Sequence, residues 1–364
     1  MKDLPGSGLR VLYAHESYPH LTHTYILTEI EAMRRFGVHV EVWSSRKPFA
    51  PFATDTPIHS GRLQDAIALV KPDLVHIHWT HLVSRFRDDV VRAGLPITVR
   101  AHHPHDVRPR ITAALQSDPA VRSIYMFGCF ARQLPPKFTK FIPVDACFNP
   151  ELYFPDANKD PHLVVRATPA RRVKELELFI RAATRCPDHR FVLAAGTTAE
   201  RGCIERVKDL NKAYGEPVDL RIDVAHEEIA AVMRRAGTYI YTMSPSEDYS
   251  MPISVSEALG AGCRVLNRAG ENARLHLGGA GVLYHDEDEV VQLIKDSLHW
   301  SESQWNREKV KALVRAEELA SPRVLQPILD DWLSIAESAT RPQRMSKFRR
   351  FFLQKAWWRR GASK

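Results

Sequence analysis

The sequence predicts an α/β protein made of two doubly wound parallel-sheet domains. Short β-branched and apolar runs alternate with amphipathic helical patterns from residue 9 onward. The alternation restarts after a turn-rich stretch at 148–161, FNPELYFPDANKDP. The chain's 364 residues also exceed what one hydrophobic core usually serves.

In chain order, the first series has strands at 9–14, 38–44, 73–79, 97–102 and 123–128. Between the first two, Ile26, Ile30, Met33 and Phe36 repeat at helical spacing, and Gly37 stands where a C-terminal cap belongs. The second series has strands at 163–168, 191–196, 218–224, 238–243, 263–268 and 280–285, with helices at 174–186, 199–214, 226–236 and 253–261. From about 287 to 338 the pattern is wholly helical. Domains are therefore placed at 1–155 and 156–320, with a helix at 321–340 returning toward the first and a basic aromatic tail at 341–364. Ligands of doubly wound sheets sit at the carboxyl ends of the strands, so the cleft between the halves is the expected site.

Composition narrows the function. The five cysteines are scattered and form no C-x-x-C pair, which fits a reducing compartment. The first residues lack the apolar core of a signal peptide, and no stretch approaches the ~20 apolar residues of a membrane helix. Net charge is +8, but the last 24 residues carry nine Lys or Arg and no acid, leaving the rest nearly neutral. A uniformly basic nucleic-acid surface is excluded on that distribution.

The segment from Ser246 to Gly262 carries the most chemistry. Pro252 suits the start of a helix and Gly260 and Gly262 its end. A helix starting at the carboxyl end of strand 238–243 aims its free N–H groups into the cleft, where a diphosphate can be held. Glu257, one turn in, offers a carboxylate to ribose hydroxyls. This segment resembles the E-G-L-P-x-S-x-L-E-A-M-A-x-G motif of glycosyltransferase family 4, the group 1 glycosyltransferases. The resemblance implies the GT-B fold, two Rossmann-like domains facing across a cleft, and retention of anomeric configuration. It makes Glu257 the ribose carboxylate and places Tyr249, Ser250, Met251, Pro252, Ile253, Ser254 and Val255 around the donor. The family's first glutamate is replaced by Tyr249, so Glu247 or Asp248 is expected to supply the acid beside the transferred sugar.

Residues 169–183, PARRVKELELFIRAA, resemble the family's G-R-L-x-x-x-K-G-x-x-x-L-I-x-A. Lys174 stands at the phosphate-binding lysine; Pro169 replaces the arginine, while Arg166, Arg171 and Arg172 crowd nearby. A nucleoside diphosphate leaving group needs such cations. Gly196, at the end of strand 191–196, joins the donor side. The D-x-D at Asp286–Asp288 starts a predicted helix and is expected to cap it, so no metal or other cofactor is expected.

In the first half, Tyr18–Ile26 resembles the F-P-x-x-S-E-T-F-I of exopolysaccharide-type members, and the similarity continues through Glu29 and Ile30. His15, Glu16, Thr22 and Thr24 are thereby placed on the acceptor side. Residues 73–79 and 96–106 resemble D-x-x-H-x-H and P-x-V-x-T-x-H-G-x-D, which makes His102 the histidine beside the donor sugar, with His103 where the family has glycine. His76, His78, His102, His103, His105 and Asp106 also suggest a metal cluster, but at no common ligand spacing. Residues 149–155 resemble the family's interdomain junction.

In the tail, Phe348, Phe351, Phe352, Leu353, Trp357 and Trp358 interleave with basic residues, as at an anionic membrane surface; a disordered tail and a helix packed across the N-terminal domain are the alternatives. The resemblance thus implies a glycosyltransferase, and the cysteine usage and the tail composition lead us to expect it in the cytoplasm, peripheral at the inner face of the cytoplasmic membrane. It would move a hexose-type sugar from a UDP- or GDP-type donor to a glycan or lipid-linked acceptor in bacterial polysaccharide or glycolipid assembly, without nucleic acid. A non-catalytic GT-B partner protein and a nucleotide-sugar epimerase are the alternatives.

Overall fold

Strand β1 (Arg10–Ser17) leads into helix α1 (Thr24–Arg35), whose Ile26, Ile30 and Met33 are buried. The computed structural model describes residues 4–47, 52–103, 106, 108–197, 200–247 and 251–340. Gly37 follows α1 with φ +93°, and a Cβ there would stand 2.8 Å from Cβ of Leu4, so the cap position needs glycine.

The first half continues through β2 (His39–Arg46), β3 (Ile58–His59), α2 (Leu63–Val70), β4 (Leu74–His78), α3 (Val83–Arg92) and β5 (Ile97–Arg100). It closes with α4 (Pro109–Ser117), β6 (Val121–Met126), α5 (Gly128–Ala131) and β7 (Phe141–Pro143). The seven strands are all parallel in the order β3-β2-β1-β4-β5-β6-β7. Edge strands β3 and β7 have only two and three residues. Runs that short carry no alternation, and the sequence reading did not include them.

The second half runs β8 (Asp160–Pro169), α6 (Leu176–Arg185), β9 (Arg190–Gly196), α7 (Cys203–Ala213), β10 (Val218–Ile222) and α8 (His226–Arg235). Then come β11 (Ala236–Tyr241), α9 (Ile253–Gly260), β12 (Arg264–Arg268), α10 (Glu271–Leu277), β13 (Gly281–Tyr284) and α11 (Glu287–Asp296). These six strands are parallel in the order β10-β9-β8-β11-β12-β13. Both sheets reverse winding direction once, between β1 and β4 and between β8 and β11, which opens a crevice at each switch point.

Helices α12 (Glu302–Leu319) and α13 (Ser321–Thr340) finish the chain's described part. Leu325, Ile328, Leu329 and Trp332 fall at helical spacing on α13 and share one core with Val11, Tyr13, Ile30 and Met33 of the first half. The halves are joined again where Phe148 pairs with Ala320, and a Cβ at Gly260 would enter the Phe148 ring. All five cysteines are buried and free. No helix among the described residues is long and apolar enough to cross a membrane.

Candidate active site

A cleft of about 500 Å³ lies between the carboxyl ends of the two sheets. On the second-half wall, the chain leaves β8 through a tight turn at Arg172–Lys174 that sets Lys174 facing inward. Its Nζ donates to the Tyr241 hydroxyl at 2.8 Å and lies 5.3 Å from that ring's centre. Arg171 lines the cleft beside it, with Nε 3.8 Å from Glu200.

Helix α9 starts at the cleft, as the sequence predicts, with Pro252 in the N-cap position and Ile253 and Ser254 in its first turn. Met251, buried with φ +47°, aims the chain into it. One turn in, Glu257 is 4% exposed and accepts a 3.0 Å hydrogen bond from His226 Nε2. Burial alone would pull the His226 pKa down; the hydrogen bond and charge of Glu257 outweigh it and raise it. Sequence reasoning missed His226, because it stands on α8 and meets Glu257 only through packing.

On the first-half wall, Thr22 and Thr24 line the cleft. Thr22 reaches across so far that a Cβ on Gly196 would stand 2.8 Å from its Cγ2. The glycine at the end of β9 is what lets the two walls approach. His102 lines the cleft with Tyr25's ring 4.6 Å away, and its Nε2 is 2.7 Å from His78 Nδ1. Asp106 holds the His102 turn: its carboxylate accepts from the N–H groups of His102 and His103 at 2.9 and 3.0 Å, and from the Thr80 hydroxyl at 2.6 Å. Burial and the neighbouring His78 and Arg100 push the His102 pKa well below the usual imidazole range, keeping it neutral.

Behind His102 lies a group the sequence reading did not assemble. Glu29, 3% exposed on α1, accepts from the Tyr13 hydroxyl at 3.1 Å, with His76 and His78 Nε2 at 3.2 and 3.4 Å. Its other oxygen faces Arg100 Nε at 3.9 Å. Burial works against the Glu29 charge, yet His78 and His76 hold its pKa well below the usual carboxylate range. Glu29, His76 and His78 present ligand atoms within 4.8 Å of one another, among the described residues the one group with metal-ligand spacing. The carboxylate is engaged by Tyr13 and faces Arg100, while the Nε2 atoms of His76 and His78 are buried without a hydrogen bond.

Several expected site residues lie elsewhere. Arg166 is fully buried behind the cleft wall, donating to the Tyr239 hydroxyl at 2.7 Å and the Thr242 carbonyl at 3.1 Å, with its guanidinium 4.1 Å from the Tyr241 ring centre. It braces Tyr241 under Lys174 and does not reach the cleft. Arg172 points to solvent and pairs with Glu200. Val255 is core, on the α9 face turned from the cleft. Glu247 is exposed beyond the lining residues. His15 is buried against Trp79, and Glu16 pairs with Arg46 and Arg85 outside the cleft. Asp248, Tyr249, Ser250 and the tail at 341–364 fall outside the described residues. Asp286 caps α11 by accepting from Glu289 N–H at 2.8 Å, the role expected of it.

No protein-family model and no curated protein sequence matches the chain. Solved structures do. HepE of Anabaena, solved with UDP and glucose, aligns over 90% of this chain and all of its own at 14% identity, with a TM-score of 0.68. The fold is GT-B. A glycosyltransferase of Rickettsia africae matches over 90% of this chain and 99% of its own, at 10% identity and a TM-score of 0.68. Sucrose-phosphate synthase of Thermosynechococcus elongatus matches over 95% of this chain and all of its own, at 16% identity and 0.63. In this GT-B chain, the N-terminus of α9, Lys174 and Glu257 occupy one wall of the cleft and His102 the other.

Proposed function

We propose that this chain is a glycosyltransferase that moves a hexose-type sugar from a UDP- or GDP-type donor to a glycan or lipid-linked acceptor. One observation carries the reading: a single cleft brings Lys174, the free N–H groups of α9 and the buried carboxylate Glu257 to one wall, opposite His102. The helix N-terminus and Lys174 suit a diphosphate, whose developing charge they would neutralise without a metal. Glu257 suits a pair of ribose hydroxyls. The solved structures with UDP and with UDP-glucose support a nucleotide-sugar ligand for this fold. Retention of configuration and a role in bacterial polysaccharide or glycolipid assembly belong to the same proposal.

The test is release of nucleoside diphosphate from a panel of UDP- and GDP-sugars, with EDTA present and with oligosaccharide or lipid-linked acceptors. Acceptor-dependent release from one donor class supports the reading. Conversion of the donor to a different nucleotide sugar with no acceptor would indicate an epimerase instead. The basic aromatic tail, by composition, suits an anionic membrane surface. Full-length chain should sediment with vesicles containing anionic lipid, and a chain ending at 340 should stay in the supernatant.

A further inference from the structure

The buried end of the His102 bridge fixes the direction of its proton. We infer that Glu29 and His78 are positioning residues that keep the His102 proton on Nε2 and leave its Nδ1 as a hydrogen-bond acceptor for a hydroxyl in the cleft. A carboxylate only accepts, so a neutral ring facing Glu29 keeps its proton on the nitrogen that faces it. His78 Nε2 lies 3.4 Å from Glu29 Oε1 as an ion-pair contact, and like His76 Nε2 it is buried without a hydrogen bond, so the carboxylate is the acceptor it faces. With its proton on Nε2, His78 has a lone pair on Nδ1. The 2.7 Å contact from that Nδ1 to His102 Nε2 is then a hydrogen bond only if His102 donates.

The surroundings hold the array in this state. Arg100, from β5, faces the Glu29 carboxylate at 3.9 Å, so the buried charge of Glu29 already has a cationic neighbour without a second proton on His78. His76, on the same strand as His78, has Nδ1 engaged with Thr98 Oγ1 at 2.8 Å and its Nε2 toward Glu29. From β1, Tyr13 donates to Glu29, and from behind, Trp332 of α13 closes on Tyr13 and His76 with ring centres 6.1 and 5.1 Å away. On the cleft side, Tyr25 and His23 of the α1 end and Trp79 face His78 and His102, and both histidines His23 and His102 are held neutral by burial. A neutral ring with a bare Nδ1 favours a sugar or acceptor hydroxyl and disfavours a phosphate, which stays with Lys174 and α9. Which hydroxyl it meets rests on the nucleotide-sugar reading; the bridge itself does not.

The experiment is therefore ligand-free. Protein labelled with ¹⁵N in its histidine rings gives long-range proton–nitrogen spectra, with the signals of His78 and His102 assigned by their loss in His78→Gln and His102→Gln. The wild-type spectrum should show His102 protonated on Nε2 and bare on Nδ1, with a coupling across the hydrogen bond to His78 Nδ1. In Glu29→Ala, His78 is free to carry its proton on either nitrogen, and the His102 pattern should shift toward the Nδ1-protonated form. Glu29→Gln, whose carbonyl still accepts from His78, should restore the wild-type pattern. A wild-type His102 protonated on Nδ1, a doubly protonated His78 at pH 8, or an unchanged pattern in Glu29→Ala would overturn the inference. Reversal of the bridge on adding Zn²⁺ would also overturn it, since it would make Glu29, His76 and His78 a cation site. The wild-type spectrum decides even if the variants fail to fold, and it decides whether or not UDP or GDP binds.

Discussion

Gly196 and Thr22 show how single atoms set the width of the cleft. A Cβ at Gly196 would meet Thr22 Cγ2 at 2.8 Å, closer than real carbon atoms approach. Gly196→Ala is expected to lower the thermal midpoint, and Thr22→Ser, which removes only that methyl, should recover most of the loss in the double variant; calorimetric melts of the four proteins check the cycle. That Lys174 and Glu257 line the cleft was legible because the motif each belongs to by resemblance lies within one β/α unit, where position along the chain fixes position in the fold. Arg166 was misplaced for a related reason. It sits on β8, a central strand covered on both faces, where alternation does not say which side of the wall a charged residue takes. His226 and Glu29 could not be assigned at all, since their partners come from other elements and only packing brings them together.

Helix α9 is the element on which the two halves and the site converge. Its N-terminus opens on the cleft, while its Ser256 hydroxyl reaches the Ala146 carbonyl at 2.9 Å and His276 Nε2 at 2.8 Å on the far side. Ser256→Ala would remove both buried contacts, and about 1–3 kcal/mol of destabilisation is expected in urea unfolding. The helix and its proline start were readable in the sequence, because turn chemistry at Pro252 and Gly262 brackets it. The grip of Ser256 was not, since a serine inside a helix gives no signal of what its hydroxyl meets.

At the scale of the molecule, α13 ties the end of the described chain to the first sheet. Trp332 is fully buried there, and Tyr125 donates to Asp331 at 2.6 Å. Trp332→Ala is expected to cost about 3–5 kcal/mol of stability and to lower the denaturant midpoint accordingly. Acid should weaken the whole fold. Burial pushes the pKa of His23 and His276 down to about 3 and that of His76 to about 4. For these groups the folded pKa lies below the unfolded value of about 6.5, so the unfolded chain takes up protons first. Their contribution is complete above that value and is lost as pH falls toward 4 and below. Glu29, also lowered, acts in the same direction at lower pH. His226 is shifted the other way, giving stability below about pH 6.5 that is lost as pH rises through its folded value, but it is one group against several. Urea midpoints should therefore drop between pH 7 and 5, less steeply in His276→Gln. The doubly wound architecture was readable throughout because hydrophobic period and turn chemistry repeat along the chain; the edge strands were not, being too short to show a period.

The most direct test of the nucleotide-sugar cleft is a calorimetric titration of UDP and of GDP into wild type and Glu257→Ala with no metal added. Metal-free binding of one nucleotide is predicted, weakened in Glu257→Ala by about 1.5–3 kcal/mol, roughly ten- to a hundredfold in Kd. Absence of binding by either nucleotide, or equal affinity in both proteins, would contradict the assignment of this cleft and its buried carboxylate to a nucleotide-sugar donor.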